Sequence, residues 1–134
     1  MPERLTFDSE AILAFYLAEK GGEVVRDNLH KIQNGMVEGY INIVNFTEIY
    51  YILARINPEI AEEKQRNLRL YGLRVIPVTD DGLWREAAII KSKHSLSLAD
   101  AFAVATAKTL KSTLVVGSDK EFNNLDIQLL RIRD

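Results

Sequence analysis

An α/β domain with a mainly parallel sheet is the fold this sequence predicts, and three observations carry that reading. Short β-rich runs, each about five residues long, recur along the chain. Helical stretches separate all but the last two of them. The 134 residues show no internal repeat, linker or low-complexity stretch, so residues 1–134 read as one domain.

The first run, residues 4–7, alternates and ends at Asp8. Residues 9–18 are helical, with Ile12, Leu13, Phe15, Tyr16 and Leu17 forming a broad apolar face. Gly21-Gly22 interrupts the pattern. A second helix over 23–33 carries Val24, Val25, Leu29 and Ile32, and Asn34-Gly35 stops it. Residues 40–44 read as the second strand. Residues 45–55 read as a helix, with Phe46, Ile49, Tyr50, Leu53 and then Ile56 at helical spacing. Asn57-Pro58 starts a helix that ends at Gly72. Residues 73–78 form the third strand. Asp80-Asp81 caps a helix to about Lys93, and Ser97 caps another to about Leu110. Residues 113–116 and 127–132 are the last two strands, with a short turn near 121–124 between them.

Composition removes several function classes. Hydrophobic residues make up 47% of the chain and charged residues 27%, a balance that supports a packed core and excludes disorder. There is no cysteine, so disulfide frameworks and thiolate metal sites are excluded. Two histidines cannot make a three-histidine zinc site, so any metal must be held mainly by oxygen, which favours hard cations. A net charge of −2 argues against a protein that coats nucleic acid electrostatically. The first residues do not read as a signal peptide, and no apolar run approaches the roughly 18 residues of a membrane span. The expected location is the cytoplasm.

The acidic residues fall in a pattern. Asp8 follows the first strand and Asp119 the fourth. Glu48 and Asp100 each fall in the expected first turn of a helix. In parallel sheets, ligands bind beyond the carboxyl ends of the strands. Helix capping is the ordinary alternative. Asn45-Phe46-Thr47-Glu48 and Ser118-Asp119-Lys120-Glu121 both fit a capping box, Ser97-Leu98-Ala99-Asp100 is a variant of it, and Asp8 or Ser9 suits the cap of the first helix. Asp100 is harder to explain that way. From Leu98 to Ala107, only Asp100 and Thr106 are polar, and a helix apolar all round is a buried one. Its face offers Ala103, Val104 and Ala107 and no base, so its carboxylate is costly without a partner. Crowded carboxylates repel one another unless a cation joins them. A divalent cation can lower the pKa of a water, hold a phosphate oxygen and neutralise developing charge, which makes the case for a metal-dependent phosphodiesterase.

Phe7-Asp8-Ser9, Asn45-Phe46-Thr47-Glu48-Ile49-Tyr50, Leu98-Ala99-Asp100-Ala101 and the run from Leu114 to Phe122 together resemble a PIN domain. More narrowly, they resemble the VapC-type toxins of bacterial and archaeal toxin–antitoxin pairs. The resemblance implies a Rossmann-like three-layer α/β/α fold with about five strands. It further implies a Mg²⁺- or Mn²⁺-dependent endoribonuclease, an RNA substrate, a homodimer and an inhibitory antitoxin partner. By position, Asp8, Glu48, Asp100 and Asp119 are the implied catalytic and metal-binding acids, with Asn45 and Ser118 as orienting neighbours. Two departures stand out. The family often has a hydroxyl residue where Gly117 stands, and Glu10 is an extra acid expected to point to solvent.

Two rival readings stay open. A haloacid-dehalogenase-type phosphatase also begins with an Asp after its first strand, but needs a second Asp where this chain has Glu10. A PIN-fold scaffold could bind RNA or protein without cutting. Of the remaining features, His30 and His94 read as solvated, and Lys91, Lys93 and His94 as a candidate phosphate contact. Trp84 reads as core or interface, and residues 59–69 as a solvated face.

Overall fold

The computed structural model describes residues 2–134. Its strands are β1 (Glu3–Phe7), β2 (Val37–Asn42), β3 (Arg74–Ile76), β4 (Thr113–Val116) and β5 (Leu129–Arg131). Its helices are α1 (Ser9–Tyr16), α2 (Gly22–Gln33), α3 (Ile43–Ile56), α4 (Pro58–Tyr71), α5 (Asp81–Lys93) and α6 (Leu98–Leu110), and a 3₁₀ turn spans Lys120–Asn124. The five strands form one sheet in the order β3-β2-β1-β4-β5. Every pairing is parallel.

Alternation along the strands divides the interior into two layers. Leu5 and Phe7 of β1 and Val115 of β4 pack with apolar residues of α1–α4. Leu114 and Val116 of β4 face the other way, into a second cluster with α5, α6 and Phe122. The result is the three-layer α/β/α arrangement that the resemblance implies. α6 owes its central place to its composition. Ala101, Ala103, Ala105 and Ala107 let its backbone come close to the sheet and to α3 and α5.

The helix ends follow local chemistry. Asp80 caps α5 through the Leu83 amide, and Ser97 caps α6 through the Asp100 amide. Asn57 with Pro58 opens α4, and Gly72 closes it with a left-handed φ of 102°.

One boundary differs from the sequence reading, with consequences for the site. β2 begins at Val37 and ends at Asn42, and α3 begins at Ile43. The cap of α3 is Asn42, whose side chain accepts from the Val44 amide at 2.8 Å. Asn45 is therefore inside the helix, and Glu48 lies beyond its first turn. The β-branched pair Ile43-Val44 looked like strand because propensity yields to tertiary context. The third and last strands are also shorter than expected, three residues each. No helix among the described residues is long and apolar enough to cross a membrane.

Candidate functional site

In the order β3-β2-β1-β4-β5 the chain winds outward from β1 to β3, then returns to the other side of β1 to lay down β4. The seam between β1 and β4 is the topological switch point, the place where open α/β sheets generally bind their ligands. Asp8 directly follows β1, and Asp119 lies three residues beyond β4. The register Phe7↔Val115 sets these two ends side by side, and the Asp8 amide donates to the Val115 carbonyl at 3.0 Å.

Asp8 is 1% exposed. Its carboxylate caps α1, accepting from the Ala11 amide at 2.8 Å. Burial pushes its pKa well above the ordinary carboxylate range, and the charges of Asp100 and Glu10 push the same way. The Ala11 and Gly117 amides offset only part of this. Asp100 is half-buried and also raised, chiefly by burial, with Asp119 and Glu48 adding repulsion against the Ser97 hydrogen bond. Asp100 is thus the hub of the group, coupled electrostatically to Asp8 on one side and to Asp119 and Glu48 on the other. Among the described residues, none of these four acids is in an ion pair, although ten pairs form elsewhere in the chain.

The capping alternative now divides. Asp8 does cap α1, and Asp119 caps the 3₁₀ turn through the Glu121 amide at 2.9 Å. Ser97 caps α6, and the Asp100 carboxylate reaches back to the Ser97 amide, so these two residues do form the capping pair. Glu48 caps nothing, because Asn42 holds the end of α3. Asn45 is fully buried. Its Nδ2 donates to Ser9 Oγ and to the Ala99 carbonyl, both at 3.1 Å, tying together the heads of α1, α3 and α6. Its Oδ1 is buried without a hydrogen-bond partner.

These residues can be tested against a divalent cation. The donors are all oxygen, the acids repel one another, and a buried amide oxygen stands unpaired. That is the donor chemistry a hard cation satisfies. Among the described residues, however, no three acidic or histidine side chains stand close enough to chelate one ion as they are placed. Fewer than three of these side chains, with water or an amide oxygen completing the shell, is the usual way a protein holds Mg²⁺.

Several sequence expectations change here. Glu10 does not point to solvent. Its Oε2 accepts from the Ser118 amide at 2.9 Å, from Ser118 Oγ at 3.3 Å and from Arg133 Nη2 at 2.9 Å. Partial burial raises its pKa, but Ser118 and Arg133 outweigh this and leave it below the ordinary value. Ser118 is therefore committed to Glu10 rather than serving as a helix cap. His94 is half-buried, with Nδ1 3.6 Å from Glu121 Oε1, and is not a freely solvated side chain. Trp84 is 43% exposed and so is not core. Sequence reasoning missed two residues altogether. Arg131 donates to the carbonyls of Gly117 (3.1 Å) and Asp119 (2.8 Å), and Arg133 pairs with Glu10 and Glu19. Their signal was the alternation Arg131-Ile132-Arg133, in which Ile132 alone is buried.

Comparisons with known proteins bear on the family and the fold. The sequence profile of the PIN domain matches residues 5–128. Comparison with curated proteins yields no significant match. Among solved structures, the DNA-bound VapBC of Salmonella typhimurium superposes with a TM-score of 0.72 at 15% identity, covering 98% of this chain and 99% of that one. A toxin–antitoxin complex from Klebsiella pneumoniae gives a TM-score of 0.71 at 13% identity, covering 96% and 97%. FitAcB from Neisseria gonorrhoeae gives a TM-score of 0.67 at 18% identity, covering 96% and 97%. At these identities the structural likeness speaks for the fold. With the profile match across most of its length, the chain belongs to the PIN domain family.

Proposed function

We propose that this protein is a metal-dependent endoribonuclease and the toxin of a toxin–antitoxin pair. The observation that carries the nuclease reading is the unpaired acidic group at the switch point. Asp8 is buried and raised in pKa with acids as its charged neighbours, and among the described residues no basic side chain is in an ion pair with it. Strongly perturbed groups gathered at a sheet's switch point mark candidate sites of chemistry. The toxin reading draws its support from relatives in fold, including the toxin–antitoxin complex from Klebsiella pneumoniae. An inhibitory antitoxin partner, a homodimer and a cytoplasmic location belong to the same proposal.

In this reading Asp8, Asp100, Asp119 and Glu48 hold Mg²⁺ or Mn²⁺. When bound, such a cation supplies Lewis acidity at a phosphate oxygen and charge for the transition state. The chain's own residues do the rest. Asp8 is held by the cap of α1 and Asp119 by the cap of the 3₁₀ turn, so both carboxylates are fixed by backbone bonds. Asn45 braces the three helix heads around them. Glu48, half-buried on α3 and free of capping duty, is the acid best suited to orient the attacking water and accept its proton. In the hydrolysis, water adds at phosphorus and one P–O ester bond breaks. One hydrogen of the water stays with the phosphate product and the other leaves with the departing alcohol.

A second reading, a non-cleaving PIN-fold scaffold, is favoured by the lack of a ready-made chelating trio among the described residues. The phosphatase reading has lost its footing, because Glu10 is tied to Ser118 and Arg133. The deciding experiment offers the purified protein a mixed-sequence RNA pool with Mn²⁺ or Mg²⁺, then repeats the reaction in excess chelator. Cleavage that stops with chelator and is absent in Asp8→Asn is the expected result. Undiminished cleavage in chelator overturns metal dependence, and RNA binding without cleavage selects the scaffold.

A further inference from the structure

Asp119 sits on a turn rather than on a strand, so something must fix its position relative to Asp8. The turn is gripped from two sides. On one side, Arg131 donates to the carbonyls of Gly117 and Asp119 and to Asn123 Oδ1, the last at 2.8 Å. On the other side, Glu10 accepts from the amide and the hydroxyl of Ser118. Glu10 is in turn anchored by Arg133, which also donates to Glu19 Oε1 at 3.2 Å and to the Lys20 carbonyl at 3.1 Å. Gly117 makes this grip possible. It is not among the residues with positive φ, so glycine is not needed there for its backbone. It is needed for room, because a Cβ built at Gly117 would land on the Glu10 carboxylate. Glu10 and a side chain at 117 therefore compete for one space.

We propose that Glu10, locked by Arg133 and seated in the gap at Gly117, is the positioning residue that sets Asp119 against Asp8 for cation binding. The inference rests on the reading of the four carboxylates as cation ligands. It adds that the C-terminal segment and the first turn of α1 hold the cluster in register through one carboxylate that binds no cation itself. Groups that orient metal ligands in this way typically change affinity by about 10- to 100-fold when removed.

The test is Mn²⁺ affinity, measured by titration calorimetry on folded protein, alongside RNA cleavage. Glu10→Ala is expected to weaken Mn²⁺ binding about tenfold and to lower kcat while leaving the KM for RNA unchanged. Glu10→Gln keeps the volume and the acceptor for the Ser118 amide, and is expected to retain most of the affinity. Gly117→Ser perturbs the same contact from the turn side, so it carries the test if Glu10→Ala does not fold. Because both side chains claim one space, the double variant Glu10→Ala/Gly117→Ser is expected to bind Mn²⁺ no more weakly than Glu10→Ala alone, a less than additive loss. Wild-type Mn²⁺ affinity in Glu10→Ala, or simply additive losses in the double variant, overturns the inference and leaves the proposed function standing. A wild-type protein that takes up no Mn²⁺ overturns the reading of the carboxylates, and the inference with it.

Discussion

Asp8 and Glu10 stand two residues apart at the head of α1, and their fates are opposite. Asp8 is buried among acids and pushed up in pKa, while Glu10 is bound to Arg133 and Ser118 and held down. The same contrast divides the surroundings of each. Asp100 is the acid that Asp8 feels most, Asp100 in turn feels Asp119 and Glu48, and among the described residues none of these four is in an ion pair. Around Glu10 the C-terminal segment supplies Arg133, and Arg131 beside it grips the backbone. Compensated charge here holds the scaffold together. Uncompensated charge lowers the stability of the bare protein and is kept where a ligand can balance it.

The largest effect that tests this contrast is on activity. Asp8→Asn and Asp100→Asn are each expected to lower RNA cleavage by about a hundredfold or more while circular dichroism shows an intact fold. Full activity in either variant erases the distinction between the two regions. Next in size is Asn45→Ala. It leaves Ser9 Oγ and the Ala99 carbonyl without their donor, and denaturant unfolding should show a loss of about 2 kcal/mol.

The pH dependence sharpens the comparison because the two signs are opposite. Asp8 has a raised pKa in the folded state, so its protonated form favours folding at low pH, and that contribution is lost as pH rises through the raised value. Metal-free Asp8→Asn is therefore expected to melt like the parent at acid pH and above it at neutral pH, with roughly 4 °C for each kcal/mol in a domain of this size. Added Mn²⁺ should raise the melting temperature of the parent and not of this variant. Glu10 behaves the other way. Its lowered pKa gives stability above the ordinary value that is lost as pH falls through the folded one. Glu10→Gln should cost no more than about 1 kcal/mol at neutral pH, since solvent screens this partly exposed pair, and nothing at strongly acid pH. Equal pH profiles for the two variants break the comparison.

Much of the fold was legible because its signals are local. The β-rich run 113–116, the Ser97 and Asp80 caps and the Asn57-Pro58 start all depend on close neighbours in sequence, and all four stand in the structure as read. The head of α3 was not legible, because Asn42 and Asn45 are both chemically able to cap and the strand-like Ile43-Val44 lies between them. The role of Glu10 was hidden for a different reason. Arg133, its partner, is 123 positions away.

The sequence by itself therefore determined an α/β domain, the helix starts other than that of α3 and the placing of acids after strands, because periodicity and capping act over three or four residues. Tertiary structure alone decided the strand order that makes β1 and β4 neighbours, and with it the company each acid keeps. Desolvation and charge pairing depend on what long-range packing brings near. They are what separates Asp8, buried with acids as its charged neighbours, from Glu10, half-buried beside Arg133.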